Sequence, residues 1–243
     1  MRLRRTNPKF GDSMRGAGVT AEALRARVFA ELESLGFRPT KSLPLPDVNL
    51  PIRPAVEIAA RLMALDALCT WVAFPEKAAA SERVEKYVDR NQLREWLTDD
   101  ESEIVSLPRA EAHQAHVDNI GWKLENMWPL AWALGFDREP TIEASQVGED
   151  VTRPIIYEFL PGLDGTVAKL LAKAAPRTAA EVIALEYRFY CAHNAVRSAQ
   201  LGGNTVPEGF HPVIHGGAVH ERRHSLSWCI APEVTWDETD LST

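Results

Sequence analysis

The chain has 243 residues, of which 45% are hydrophobic and 25% are charged, values typical of globular domains. No segment approaches the ~20 consecutive apolar residues of a membrane span, and no apolar run follows the basic first residues, as a secretory signal requires. Three widely separated cysteines, Cys69, Cys191 and Cys229, suit buried thiols in a reducing compartment better than disulfides. We therefore expect a cytoplasmic protein that does not contact a membrane.

The charge is unevenly distributed along the sequence. The formal net charge is −7, but residues 1–41 carry +5 and the rest of the chain carries −12. Because an acidic body repels a polyanion, we expect no nucleic-acid partner. The same body suits a basic protein partner. Phosphate-binding and dinucleotide-binding glycine motifs are missing from the sequence, so no cofactor is expected.

The first third of the chain predicts an arm, a helix, a linker and a core helix. Residues 1–19 are rich in glycine and basic residues without apolar periodicity, which indicates a flexible basic arm. Thr20 caps a helix that Gly36 ends. Five prolines within 38–54 predict an extended linker. Apolar side chains on nearly all faces of 55–73 predict a buried helix.

The middle of the chain predicts a series of shorter helices. Ser81 opens a polar helix that continues or restarts over 93–97. The acidic residues at 99–103 suit a turn or a helix N-terminus, where carboxylates favour the helix dipole. Pro108 begins another helix, and an aromatic helix follows over Trp122–Leu134.

The last third predicts two longer helices after an unassigned stretch. Residues 137–163 give no clear pattern, and 164–174 predict a short helix. Thr178 and Glu181 have the spacing of a capping box, which opens a long helix. A loop that extends to Gly217 precedes a last helix over 218–230.

Few segments alternate with a period of two, so the pattern does not favour a sheet. The expected fold is mainly α: a single compact multi-helix domain over 20–243 behind the basic arm at 1–19.

One motif suggests metal chemistry. His220 and His224 match H-E-x-x-H on a predicted helix, a spacing that in zinc proteases places two imidazoles on one face with Glu221 as general base. Arg222 and Arg223 stand between them, and two guanidinium groups beside a dication repel it. No third ligand follows in a recognisable context. The match is therefore interpreted as a coincidence, with His220 and His224 as weak metal candidates.

Five segments, in chain order, resemble the pattern of a bacterial family, the "domain of unknown function 4272". They are Glu57–Leu65, Trp122–Gly135 with Glu125 and Trp128, Glu186-Tyr187-Arg188, Val219–Trp228, and Trp236–Asp240. The resemblance covers about residues 20–240; Asp240-Leu241 departs from the Asp-Thr pair of the family's usual ending. The resemblance implies that Arg222 and Arg223 belong to the pattern and that the flanking histidines do not. It implies no function.

Two interpretations of these residues remain open. In the first, buried ion pairs and tryptophan contacts tie the helices together, because buried charges are seldom left unpaired. In the second, the same side chains form a ligand or catalytic pocket. The candidate catalytic residues are Glu125, Arg188, Arg222 and Asp237. The candidate structural or pocket residues are Trp122, Trp128, Tyr187, Arg223, Trp228, Trp236 and Asp240.

Three functional hypotheses follow. The favoured one is protein binding, as an adaptor or an immunity-type inhibitor. The second is an enzyme in which Glu125 acts as acid or base and Arg188 or Arg222 holds a small anionic substrate. That enzyme requires the three side chains to converge in one open pocket. The third and least favoured is a zinc-dependent hydrolase that uses His220, Glu221 and His224.

Overall fold

The computed structural model describes residues 20–142 and 146–243, and within these residues the chain forms ten α-helices and no strand. The prediction of a mainly α domain is confirmed. The predicted arm at 1–19 lies outside the described residues.

Most helices follow one another through short connections, and longer segments join α1 to α2, α6 to α7 and α9 to α10. They are α1 (Ala21–Ser34), α2 (Ala55–Ala73), α3 (Ser81–Arg90), α4 (Asp99–Ser106), α5 (Arg109–Ile120), α6 (Trp122–Ala133), α7 (Glu149–Pro154), α8 (Val167–Leu171), α9 (Ala179–Gln200) and α10 (Ile214–Cys229). A 3₁₀ turn, Leu93–Trp96, restarts the chain after α3, and a π-helical turn, Ile155–Phe159, continues α7.

Helix α2 is the centre of the domain. Its residues from Ile58 to Val72 are all buried, as expected of a helix that is apolar on every face. Helices α3, α4, α5, α6 and α8 and the 3₁₀ turn pack around it. The predicted bounds of this helix, 55–73, are confirmed.

Helices α6, α9 and α10 form the second half of the core, with α10 packed against both of the others. The predicted start of the last helix at residue 218 is wrong, because α10 begins at Ile214 and runs through Gly216 and Gly217. A Cβ atom at Gly216 would lie 2.6 Å from Cγ1 of Val196, so the glycine permits the close approach of α9 and α10. The predicted helix at 164–174 is also shorter, covering only Val167–Leu171.

Threonine caps fix four of the helix starts, among them α8, where the side chain of Thr166 accepts a hydrogen bond from the backbone N–H of Lys169. Thr20 accepts a hydrogen bond from the backbone of α1, and Thr178 forms the predicted capping box with Glu181. Thr98 forms a second capping box with Glu101, so the acidic residues at 99–103 lie in the first turns of α4. All three cysteines are buried and free.

After α10, residues 230–243 fold back over the surface of the domain, and this C-terminal segment forms one wall of the cavity described below. Within the described ranges, none of the helices has both the length and the apolar character that crossing a bilayer demands.

Candidate functional site

A cavity of about 430 Å³ lies between the first turns of α2, the 3₁₀ turn and the C-terminal segment. Its volume falls in the range of ~300–1,000 Å³ that small-molecule binding sites occupy. Three tryptophans line it: Trp96 from the 3₁₀ turn, Trp228 from α10 and Trp236 from the C-terminal segment.

Arg53 covers the first of these rings. Its guanidinium lies 3.9 Å from the ring centre of Trp228. The same group donates hydrogen bonds to Glu57 at 2.9 Å and to the carbonyls of Ala231 and Val234 at 2.6 and 2.7 Å. Its Nε also donates to the carbonyl of Trp228 at 3.2 Å, so Arg53 uses four of its five N–H donors and fixes the C-terminal segment to the start of α2.

Arg61 covers the second ring in the same manner. Its guanidinium lies 4.0 Å from the ring centre of Trp236 and pairs with both oxygens of Glu101, at 2.5 and 3.0 Å. It also donates to the carbonyl of Trp96, and Lys123 donates to Glu101 at 2.6 Å. Burial raises the pKa of Glu101, but the charges of Arg61 and Lys123 outweigh this effect and lower it to about 2.

A histidine also packs on the ring of Trp236. The ring of His224 stacks on it at 4.3 Å, and its Nε2 donates to the carbonyl of Trp236 at 2.9 Å. Burial lowers the pKa of His224, in keeping with this packed position. The indole of Trp228 contacts the other two, with ring centres 6.5 Å apart for Trp96 and Trp228 and 5.4 Å apart for Trp228 and Trp236.

The rim of the cavity is acidic. Four exposed carboxylates surround it: Glu95, Asp99, Glu233 and Asp237. Within the described ranges none of the four forms an ion pair. The two lining arginines are already paired with glutamates, so the net charge around the opening is negative. The site consequently favours a cation over an anion.

Glu125, the candidate acid or base, lies in the core away from this cavity. It is 2% exposed, and Arg222, which is 0% exposed, donates to it from Nε at 2.7 Å. The backbone N–H of Val147 donates to its second oxygen at 2.8 Å. Arg222 also donates to the carbonyl of Thr141 at 2.6 Å and lies over the ring of Trp128 at 4.8 Å. This arrangement is a sealed ion pair that ties α6 to α10.

Arg188 and Tyr187 connect α9 to the N-terminal part of the domain. Arg188 pairs with Glu31 at 2.7 Å and with Glu139 at 3.4 Å. Tyr187 donates its hydroxyl hydrogen to the carbonyl of Pro44 at 3.0 Å. The described residues therefore do not bring Glu125, Arg188 and Arg222 together in one open pocket, which is the geometry that the enzyme hypothesis requires.

Arg223 points to the other side of α10 from Arg222. It donates to Nδ1 of His193 at 2.8 Å and to the carbonyls of Leu241 and Ser242 at 2.8 and 3.2 Å. Because a guanidinium only donates, Nδ1 of His193 must accept, and this imidazole is neutral. Burial, and then the charge of Arg223, lower the pKa of His193 to about 3. Asp240 accepts a hydrogen bond from the backbone of Ser242 within the same segment.

The two histidines of H-E-x-x-H contact different neighbours. His220 faces His193, with 3.5 Å between ring nitrogens, whereas His224 is stacked on Trp236. Glu221 accepts a hydrogen bond from Asn126 at 2.9 Å. In residues 20–142 and 146–243, no group of three His, Cys, Asp or Glu side chains is arranged to hold a metal ion.

The remaining candidates divide between packing and the cavity. Trp122 packs on α10, where a Cβ atom at Gly217 would lie 3.0 Å from its ring. Of the candidate residues, Trp228, Trp236 and Asp237 line the cavity. Sequence reasoning missed Arg53 and Trp96 as site residues. In the sequence, Arg53 is distinguished only as a basic residue between the last two prolines of the linker. Its place in the site depends on the tertiary fold.

The fold and the cavity define an all-helical domain with a small tryptophan-lined binding site. The chain belongs to the family described as "Domain of unknown function (DUF4272)", which it matches over residues 24–239. No match was found among curated proteins or among solved structures. Three of the segments that carry the family resemblance, Glu57–Leu65, Val219–Trp228 and Trp236–Asp240, meet at the cavity.

Proposed function

We propose that this protein acts by binding a basic protein partner, as an adaptor or an immunity-type inhibitor, and that the tryptophan-lined cavity is the docking point. The observation that carries the proposal is the rim of four exposed carboxylates around an aromatic cavity. A protein interface commonly has this form, with a desolvated aromatic centre and a polar rim.

The charge of the whole chain supports the same conclusion. Residues 42–243 carry a net charge of −12, so the rim is the local part of a wider negative field. Such a field steers a cationic partner toward the protein and raises the association rate, and salt weakens it. The arginines of the cavity are largely committed to other partners, since Arg53 and Arg61 use seven of their ten N–H donors on two glutamates and on backbone carbonyls.

Titration with two synthetic peptides, one of alternating arginine and glycine and one of alternating lysine and glycine, tests the proposal. Calorimetry is performed on the native protein and on a rim variant, Glu95→Gln, Asp99→Asn, Glu233→Gln and Asp237→Asn. A control variant changes four exposed acids that do not line the cavity: Glu111→Gln, Asp118→Asn, Glu158→Gln and Glu208→Gln. Both variants alter the net charge equally.

We expect the rim variant to weaken binding of both peptides by about tenfold or more, and the control variant to weaken it much less. Raising the salt from ~0.15 M to ~1 M shortens the screening length from ~8 Å to ~3 Å and is expected to weaken binding further. Equal losses in the two variants would show attraction to the whole acidic body and contradict a docking point at the cavity. A pull-down from the source cell that returns no stoichiometric partner would count against the function itself.

A further inference from the structure

The cavity contains the same three-part contact twice. In each, an arginine guanidinium lies over a tryptophan ring and pairs at the same time with a glutamate: Arg53 with Trp228 and Glu57, and Arg61 with Trp236 and Glu101. The distances to the ring centres, 3.9 and 4.0 Å, are nearly equal. A planar guanidinium suits this contact because it can stack on an indole and bind a carboxylate together.

This stacking recurs elsewhere in the domain. An arginine also lies over each of three tryptophans outside the cavity: Trp71 with Arg109, Trp128 with Arg222, and Trp132 with Arg177.

Trp96 is the third indole of the cavity, and in the part of the chain that the structure describes no arginine or lysine lies over its ring. Its side chain is half-buried and lines the cavity. Glu95 precedes it directly, and Asp99 follows at the start of α4, both exposed on the rim. Trp96, Glu95 and Asp99 therefore offer the aromatic ring and the carboxylates of a third contact of this kind. The described residues do not supply its cation.

We propose that the cavity binds an arginine side chain of the basic partner, whose guanidinium stacks on Trp96 and pairs with the rim carboxylates. This inference rests on the proposed function and specifies the chemistry of the partner. Lysine fits less well, because its ammonium is a strongly hydrated point charge that does not stack. A quaternary ammonium needs a cage of several free aromatic faces, whereas Arg53, Arg61 and His224 already cover faces of Trp228 and Trp236.

The two matched peptides separate arginine recognition from simple charge attraction, since they differ only in the cationic group. In the native protein we expect the arginine peptide to bind about tenfold more tightly than the lysine peptide. In Trp96→Ala we expect this preference to fall below about twofold, while the lysine peptide still binds in a salt-dependent manner. Trp96→Phe, which keeps a smaller aromatic face, is expected to retain an intermediate preference.

Trp122→Phe is the matched control, because Trp122 packs on α10 away from the cavity. This control should keep the full arginine preference. Unchanged affinity for the lysine peptide shows that each variant is folded and that its acidic surface still attracts a cation. Equal affinities of the native protein for the two peptides would overturn the arginine inference and leave the proposed function standing. No binding of either peptide would overturn both, and an arginine preference that persists in Trp96→Ala would overturn the assignment to Trp96.

Discussion

Two buried carboxyl groups of this protein have opposite surroundings. Glu125 accepts hydrogen bonds from the Arg222 guanidinium and from the backbone N–H of Val147. Asp66, in the middle of α2, accepts a hydrogen bond from the hydroxyl of Tyr87 at 3.2 Å and makes no ion pair within the described residues. The first carboxyl group is paired with a buried cation, whereas burial disfavours the ionised form of the second.

Glu125→Gln tests whether the core ion pair holds α6 to α10. The variant removes the carboxylate of Glu125 from the buried guanidinium of Arg222, and breaking a buried ion pair costs about 3–5 kcal/mol. We expect the free energy of unfolding, measured by urea titration, to fall by that amount. Asp164→Asn is the control: its pair with Arg83 is exposed to solvent, so we expect its removal to change the free energy of unfolding far less. Equal losses in the two variants would contradict the structural role of Glu125.

Asp66→Asn tests the buried carboxyl through pH. Burial raises the pKa of Asp66 from 3.8 to about 7, although the Tyr87 hydrogen bond partly opposes this shift. Between those two pH values the folded state holds more protons than the unfolded state, so Asp66 destabilises the native protein increasingly as pH rises from about 4 to about 7. The side chain of asparagine cannot ionise, so the variant does not lose stability in this way as the pH rises.

Urea titrations of the native protein and of Asp66→Asn across this pH range measure the difference. We expect the stability of the variant relative to the native protein to increase with pH by a few kcal/mol, since one pKa unit corresponds to ~1.4 kcal/mol. The exposed Asp118→Asn is the control and should track the native protein. A difference that stays constant with pH would show that Asp66 is ionised in the folded state at acid pH.

At the scale of helices, the packing of α9 against α10 depends on the absence of a side chain at Gly216. Gly216→Ala places a methyl group 2.6 Å from the stiff side chain of Val196, and such overpacking costs about 1–3 kcal/mol. Gly121→Ala, between α5 and α6, meets no atom within 4 Å and has helical backbone angles, so we expect it to stabilise the protein by about 0.4–1 kcal/mol. Melting curves of the two variants should shift in opposite directions. A Gly216→Ala protein as stable as the native one would contradict the close approach.

Local sequence signals determined most of the helices but not all of their ends. The apolar faces of α2 and the threonine caps of α1 and α9 act within one turn of chain, so the sequence alone predicted them. The start of α10 was mispredicted because glycines at 216 and 217 usually indicate a loop. Here α9 and Trp122 pack closely against them, a tertiary effect that no local pattern contains.

At the scale of the whole molecule, the C-terminal segment completes a cavity whose other lining residues come from separate parts of the sequence. The lining residues come from three distant parts of the chain: Arg53 with Arg61, Trp96, and Trp236. The C-terminal segment meets the first turns of α2 because Arg53 donates hydrogen bonds to the carbonyls of Ala231 and Val234. The family resemblance indicated Trp228, Trp236 and Asp237 as candidates in advance. It could not show that they share a cavity with Trp96, since that depends on how α2, α10 and the 3₁₀ turn pack.

The most direct test of the docking cavity uses the indole N–H resonances of the seven tryptophans, which report from the cavity and from the rest of the domain in one spectrum. Three of them, Trp96, Trp228 and Trp236, line the cavity, and the other four do not. Titration of ¹⁵N-labelled protein with the arginine–glycine peptide should shift the three cavity resonances, with the largest change at Trp96, and leave the other four in place. Saturable binding that moves the other four resonances and leaves Trp96, Trp228 and Trp236 unchanged would contradict the assignment of this cavity as the binding site.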